Sequence, residues 1–212
     1  AASSEQGTSV ELVSAESGMD AGQQLSAGSG RLSIDELAWT VSEIELLACP
    51  SAWHRAAEWL LPTAHAHGTS TPTILALPTV ERALTHTDTL LGRLSPPAGR
   101  YCGVRYRLGP ADADAEGLEQ LPEMLGRSVL LRGSFGARAG ELERVEIESQ
   151  LTLAVELAID FELSESERTL SLRFERDGAT VFRDVDFGVL DGVRRELALL
   201  EALQASLAVR LQ

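Results

Sequence analysis

The sequence predicts a mainly β protein: an antiparallel β-sandwich-like domain with a C-terminal amphipathic helix. Three observations predict this class. Apolar and polar residues alternate over several stretches, turn signals rich in Gly and Pro separate them, and the end of the chain changes to an apolar spacing of three and four. Hydrophobic residues make up 44% of the 212 residues, enough for one core. We expect a single domain over residues 31–212. The polar residues 1–30 form a lead-in, either a tether or partly ordered with a strand in SVELVSA.

The clearest alternation runs from Val145 to Leu163, where odd positions are mainly apolar and even positions are mainly acidic or polar. This stretch is too long for one ordinary strand, so it predicts two strands or one long bent strand. A second stretch, from Arg31, alternates with a phase that changes twice. Its three groups are Leu32 and Ile34, then Leu37, Trp39 and Val41, then Ile44 and Leu46. Such phase changes predict a bulged or bent strand.

Two further elements lie in the last third of the chain. The segment TLSLRFERDGATVFRDVDF predicts a hairpin that turns at Asp177 and Gly178. From about Asp191 to position 208 the spacing predicts an amphipathic helix. Its apolar face would contain Leu190, Val193, Leu197, Leu200, Leu203 or Gln204, Leu207 and Leu211. This face covers either an open end of the sheets or a partner protein, and we favour the sheets.

The charge is strongly negative, with a net value of −14, and all 18 basic residues are Arg. A polyanion is repelled by such a chain, which argues against nucleic acid binding. No apolar run approaches the ~20 residues that span a membrane. The small, polar first residues are typical of a mature exported chain whose signal has been removed, so we expect a periplasmic, cell-surface or secreted protein.

The two cysteines, Cys49 and Cys102, end or lie in strand-like segments. They are either buried and reduced or paired, and we favour a disulfide, which implies an oxidising compartment. No CxxC motif is present, which argues against redox catalysis.

Two of the four histidines, His65 and His67, lie in the stretch PTAHAHGTST. In an extended segment, residues i and i+2 point to the same side, so the two imidazoles would converge. Imidazole suits copper, zinc and nickel, and His54 is a candidate third ligand. His86 is a more distant candidate. The alternative is a solvated loop in which the histidines bind nothing.

The acidic loop after residue 109 offers a second, weaker metal motif. Asp112, Asp114, Glu116 and Glu123 match the ligand spacing of a calcium loop. The match is flawed, because a Glu occupies the fifth position, Pro122 precedes the last ligand and a strand-like segment precedes the loop. A solvated acidic loop is the default interpretation.

The tryptophans have ordinary packing positions as one interpretation, and the sequence lacks the common catalytic motifs. Trp39 lies in strand phase and is expected in the core, whereas Trp53 and Trp59 flank His54 and either pack at a core edge or line a site. There is no G-x-S-x-G, no H-E-x-x-H and no Gly-rich phosphate loop. An enzyme that uses carboxylates in a cleft has no motif behind it and ranks last, so we expect no catalytic turnover.

The segments SPPAGRYCGVRYRLGPADAD and RLSIDELAWTVSEIELLAC carry a resemblance to a known family. The first segment has a turn with Pro and Gly, followed by a Tyr-bearing strand that ends in Arg-x-x-Leu-Gly, here RYRLG, and the second contains VSEIEL. This combination resembles the exported copper-binding "metallo-mystery pair" proteins of methanobactin operons and methanotroph surfaces. The resemblance covers about residues 31–110. Members often carry four cysteines, whereas this chain has two.

That resemblance implies a β-sandwich-like fold, a periplasmic or surface location and a mononuclear copper site built mainly from His. It also implies a di-haem peroxidase-like partner that oxidises a Trp to kynurenine, here Trp53 or Trp59. By position, His65 and His67, with His54 behind them, correspond to the ligands.

We therefore expect an exported protein that binds copper first and zinc second. The alternative is an acidic interaction or structural module without a metal. The two differ in whether the apolar face of the C-terminal helix is buried within the domain.

Overall fold

The computed structural model describes residues 9–17, 19–50, 71–84, 87–138, 141–164 and 169–212. They contain the strands β1 Ser9–Ser17, β2 Gln24–Ala27, β3 Gly30–Ala48, β4 Ile74–Leu75, β5 Thr79–Arg82, β6 Thr89–Leu94, β7 Gly99–Leu108, β8 Val129–Arg138, β9 Glu141–Ser149, β10 Leu153–Leu163, β11 Thr169–Asp177 and β12 Leu207–Leu211. The helices are 3₁₀ turns at Leu118–Gln120 and Pro122–Met124, α1 at Gly178–Val181 and α2 at Gly192–Ala205.

The strands form two sheets that share one core. The small sheet has the order β12-β11-β1-β6, and the large sheet follows the path β10-β7-β3-β8-β9, with β2, β4 and β5 also paired to β3. All pairs are antiparallel except β1 with β11, which is parallel. The predicted mainly β class of packed antiparallel sheets with a C-terminal helix is confirmed.

Strand β3 organises the large sheet because it is 19 residues long and pairs along both sides. β2, β5 and β4 pair in turn with one side, and β8 and β7 with the other. Its register shifts between Ile34 and Glu36 and again between Val41 and Glu43. These bulges lie where the apolar phase changes in the sequence, so the predicted bulged strand is confirmed.

The core lies between the sheets and takes its largest side chains from both. Trp39 and Tyr106 come from the large sheet and Phe174 from the small sheet, and all three are buried. The expected core position of Trp39 is confirmed. Phe182 and Phe187, which follow α1, are also fully buried and join the same cluster.

The lead-in contributes two strands to these sheets. β1 lies between β11 and β6 in the small sheet, and its Val10 and Leu12 are fully buried. β2 pairs with the start of β3. For residues 9–17 the structure therefore shows a strand, one of the two alternatives that the sequence left open.

The alternating stretch 145–163 forms two strands, β9 and β10, as expected. They lie at opposite ends of the large-sheet path, where β9 pairs with β8 and β10 with β7. Val145 and Ile147 point into the core from β9, and Phe161 and Leu163 from β10. Burial of one face explains the period of two.

The predicted hairpin at Asp177 and Gly178 is wrong. β11 ends at Asp177, and Gly178 begins the short helix α1 instead. A Cβ at Gly178 would lie 1.9 Å from the Met19 side chain. The glycine therefore permits close packing against Met19 and does not serve a two-residue turn.

Helix α2 is shorter than predicted, and only the second half of its predicted apolar face is buried. It ends at Ala205, and the chain then enters β12, which pairs with β11, so Leu207 and Leu211 belong to a strand. Leu199, Leu200 and Leu203 are fully buried, whereas Val193 is 71% and Leu197 43% exposed. The helix thus covers the domain with its second half.

No helix in the described ranges is both long enough and apolar enough to cross a membrane.

Candidate functional site

The predicted imidazole ligands lie outside the described residues. His54, His65 and His67 fall within 51–70, as do Trp53 and Trp59, and His86 is also outside. The structure therefore describes the two flanks of the histidine stretch, residues up to 50 and from 71.

One flank is fixed to β7 and the other to the last residues of β3. On one side, the Cys49 N–H donates to the carbonyl of Arg100 at 2.9 Å, and Cys49 forms a disulfide with Cys102 of β7. On the other side, the Leu46 N–H donates to the carbonyl of Thr73 at 2.9 Å. The predicted disulfide is present, and such bonds are typical of oxidising compartments.

Asp160 of β10 lies beside this disulfide. One carboxylate oxygen of Asp160 and the Sγ atoms of Cys49 and Cys102 lie within 4.8 Å of one another. Within the described ranges, this is the one group of three or more His, Cys, Asp or Glu side chains with ligand atoms so close. While the disulfide is intact, its sulfurs provide no thiolate for a metal.

Arg100 forms an ion pair with Asp160 in this structure. Its Nε and Nη2 donate to the two carboxylate oxygens at 2.8 and 2.6 Å. Hydrogen bonds from this guanidinium hold the pKa of Asp160 below its ordinary value. Both side chains are exposed, Arg100 by 61% and Asp160 by 59%, so the ion pair is open to exchange with solvent ions.

The four acids of the calcium-like motif do not converge among the described residues. Asp112, Asp114 and Glu116 are exposed, and an Asp112 oxygen accepts a hydrogen bond from the Asp114 N–H at 3.1 Å. The Glu123 carboxylate accepts two hydrogen bonds from Arg132 of β8, at 2.7 and 2.6 Å. Arg132 therefore engages the residue that the motif assigns as the last ligand.

The loop that carries these acids has a packing role. Ala111, Ala115, Leu121 and Met124 are buried in a second, smaller cluster against Ala38, Val80 and Leu130 of the large sheet. The Glu116 backbone also bonds to both neighbours of Thr79, because its N–H donates to Pro78 O and its C=O accepts from the Val80 N–H, each at 2.8 Å. These contacts anchor the loop to the large sheet.

Sequence reasoning missed a buried polar network between the sheets. The Trp39 Nε1–H and the Tyr106 hydroxyl donate to the Glu81 carboxylate at 2.6 and 3.3 Å. Arg176 Nη2 donates to the Tyr106 oxygen at 3.1 Å, and Arg176 Nη1 lies 4.0 Å from the same Glu81 oxygen. Both charged residues are buried, Arg176 to 1% and Glu81 to 4% exposure.

A sequence signal for this network exists in β11. Leu170, Leu172, Phe174 and Arg176 share one phase of its alternation, so the arginine occupies a core-facing position. A charged residue in the apolar phase of a strand indicates a buried, partnered charge. The partner, Glu81, has no comparable signal, since β5 contributes only four residues.

A narrow pocket lies beside the network. It has ≈180 Å³ of empty space, is too narrow for a water molecule, and is lined by Tyr106, Leu108, Leu153, Val155, Arg176, Gln204 and Leu207. The network joins side chains of the two sheets next to this pocket.

Comparison with known proteins returned no similarity. No family model matches the chain, no curated protein matches it, and no solved structure matches it.

Proposed function

We propose that this is an exported metal-binding protein that holds copper, or secondly zinc, through His65 and His67 with His54 as a third ligand, without catalytic turnover of its own. Three of the four histidines lie between positions 54 and 67. Imidazole nitrogen suits both metals. The net charge of −14 attracts cations to the protein.

The observation that carries the proposal is the attachment of the two flanks of the histidine stretch to the neighbouring strands β7 and β3. Cys49 is covalently fixed to Cys102, and the Thr73 carbonyl is bonded to the Leu46 N–H. Fixing the two ends of a segment removes part of the entropy that ligand ordering costs. Such a frame supports two or three imidazoles that share one ion and leave a position open for transfer.

Export is part of the proposal, and the disulfide supports it because such bonds persist in oxidising compartments. The di-haem peroxidase-like partner and the oxidation of Trp53 or Trp59 remain predictions from the resemblance. The intact mass of the natively produced protein, followed by peptide mapping of the two tryptophans, checks the oxidation.

Metal content tests the proposal. The oxidised protein is dialysed against Cu(II), Zn(II), or Cu(I) kept reduced with ascorbate, which leaves disulfides intact, and bound metal is measured by mass spectrometry. We expect about one copper per chain in the wild type, loss in His65→Ala/His67→Ala and retention in the control His86→Ala. Equal retention in wild type and double variant, or no retention in either, contradicts the proposal.

The alternative, an acidic interaction or structural module without a metal, loses most of its expected surface. Leu199, Leu200 and Leu203 of α2 are buried within the domain. Val193 and Leu197, one turn apart near the helix start, are the exposed large apolar residues of α2, and Val189 just before the helix is also exposed. Because the leucines in the second half of the predicted face are buried, we favour the metal-binding proposal.

A further inference from the structure

The disulfide region has the side chains of a second metal site, distinct from the histidines. Cys49 follows the end of β3, Cys102 lies in β7 and Asp160 lies in β10. Three adjacent chain segments therefore each supply one ligand residue. Their ligand atoms lie within 4.8 Å of one another, and Cys102 and Asp160 are exposed while Cys49 is half-buried. A reductant and a metal ion can therefore reach the group from solvent.

Two bulges bring these side chains to the same outer surface. The register between β3 and β7 shifts between Leu47 and Ala48, and that between β10 and β7 shifts between Ala158 and Phe161. As a result, Tyr101 is buried and stacks on Phe161 at 5.3 Å, while the next residue, Cys102, points outward. Bulges that redirect a side chain are frequent beside functional sites.

We propose that reduction of Cys49–Cys102 creates a zinc site formed by the two thiolates and the Asp160 carboxylate. A dithiol reductant transfers two electrons and two protons to the S–S bond, which breaks to give two thiols, while the reductant itself becomes a disulfide. Zn²⁺ then displaces the two thiol protons into solvent. Water fills the fourth position of a tetrahedral S₂O site.

The geometry suits zinc. Zn–S bonds of about 2.3 Å in a tetrahedron place the two sulfurs about 3.8 Å apart. The Cα atoms of the two cysteines are 4.8 Å apart, and the main-chain bond from Cys49 to Arg100 holds this spacing independently of the disulfide. Thiolate ligands favour soft and borderline ions, and the carboxylate favours Zn²⁺ over Cu(I).

Arg100 is the competitor of the metal for Asp160. Its pair with Asp160 is solvent-exposed on both sides, and such pairs contribute little to stability, so zinc displaces it readily.

The site couples metal binding to the redox state of the protein. Zinc is bound under reducing conditions. When a disulfide oxidant takes two electrons from the thiolates and becomes a dithiol, Cys49–Cys102 re-forms and Zn²⁺ is released. This inference goes beyond the proposed histidine site, which holds its ion with the disulfide intact.

The test compares oxidised protein with protein reduced by tris(2-carboxyethyl)phosphine, which avoids the zinc binding of dithiols. Zn²⁺ binding is measured by calorimetry, and Co²⁺ is the spectroscopic probe for thiolate coordination. We expect the reduced chain to bind one Zn²⁺ more than the oxidised chain, and a Co²⁺–thiolate charge-transfer band in the reduced chain alone. His65→Ala/His67→Ala must retain this binding, which separates the two proposals.

Variants of the three ligands complete the test. Cys102→Ser abolishes the band, and Asp160→Asn weakens zinc binding by at least about tenfold. Asp35→Asn, the same change at an exposed acid near the start of β3 and far along the strand from Cys49, is the matched control and binds as the wild type does. Equal metal binding in oxidised and reduced protein, or wild-type affinity in Asp160→Asn, overturns the proposal. Loss of the β-sheet circular dichroism on reduction that Zn²⁺ does not restore also overturns it.

Discussion

The guanidinium of Arg176 lies over the ring of Trp39, with its Cζ 4.4 Å from the ring centroid. Arg176 comes from the small sheet and Trp39 from the large sheet, so this cation–π contact joins the two layers at the centre of the core. Glu81 balances the charge and accepts the indole N–H. The core thus combines apolar packing with one partnered ion pair.

Removal of Glu81 is expected to destabilise the protein strongly. Glu81→Leu leaves the buried Arg176 charge without its counter-ion, which costs about 3–5 kcal/mol. The double variant Glu81→Leu/Arg176→Met removes both charges and is expected to be more stable than the single variant. Urea unfolding monitored by circular dichroism measures both free energies.

Arg173→Met is the matched control for this prediction. Arg173 lies on the same strand, and its pair with the exposed Asp88 predicts a loss of about 0–1 kcal/mol. If the free energy of unfolding of Glu81→Leu lies within about 1 kcal/mol of the wild-type value, Glu81 does not balance a buried Arg176 charge between the two sheets.

The disulfide is expected to stabilise the fold without being required for it. Cys49 and Cys102 are 53 positions apart, and the chain-entropy model gives about 4 kcal/mol for closing such a loop. Cys49→Ser/Cys102→Ser should lose about this amount in urea unfolding. Since typical domains are stable by about 5–15 kcal/mol, the variant should still fold. An unchanged stability would show that the bond does not constrain the unfolded chain.

Features with a local cause were predictable from the sequence. The two phase changes of β3 follow from its bulges, because each extra residue moves the apolar set to the other parity. In the stretch 145–163, the alternation of apolar and polar residues likewise indicates that one face of each strand is buried. In contrast, the parallel pair of β1 and β11 joins Ser9 to Thr169, and no local pattern specifies a partner so distant in sequence.

The same distinction applies to the candidate sites. The pairing of Cys49 with Cys102 was predictable because the chain has two cysteines, each in or beside a strand-like segment. The approach of Asp160 depends on the register of β10 against β7 and on a bulge there, and the sequence shows neither. Trp39 was predictable as core, but its partner Glu81 lies in a four-residue strand with no clear alternation.

The difference in burial between the two halves of α2 allows a direct test of the observed packing. Leu203 is fully buried, so Leu203→Ala is expected to lose about 2–5 kcal/mol through lost burial and a cavity. Leu197, on the same helix but 43% exposed, is the control, and Leu197→Ala should lose about 1 kcal/mol or less. Urea unfolding of the two variants decides the matter. A larger loss for Leu197→Ala than for Leu203→Ala would contradict the observed burial of the second half of the helix.

Acid is expected to destabilise the protein partly through Glu123. Two hydrogen bonds from Arg132 hold the pKa of Glu123 below the usual 4.5 of a glutamate. A lowered folded-state pKa means that the unfolded chain takes up the proton first as the pH falls. The stabilisation by this pair is therefore complete well above pH 4.5 and is lost as the pH falls from 4.5 through the folded-state pKa.

Glu123→Gln should accordingly be less stable than the wild type at pH 7, and the difference should shrink as the pH falls below 4.5. Urea unfolding at pH 7, 5, 4 and 3 measures the difference. Glu119→Gln, an exposed glutamate in the same loop, is the matched control and is expected to stay close to the wild type throughout. A difference for Glu123→Gln that persists unchanged to pH 3 would mean that the carboxylate charge does not stabilise the loop. In that case Ala111, Ala115, Leu121 and Met124 hold the loop by apolar packing alone.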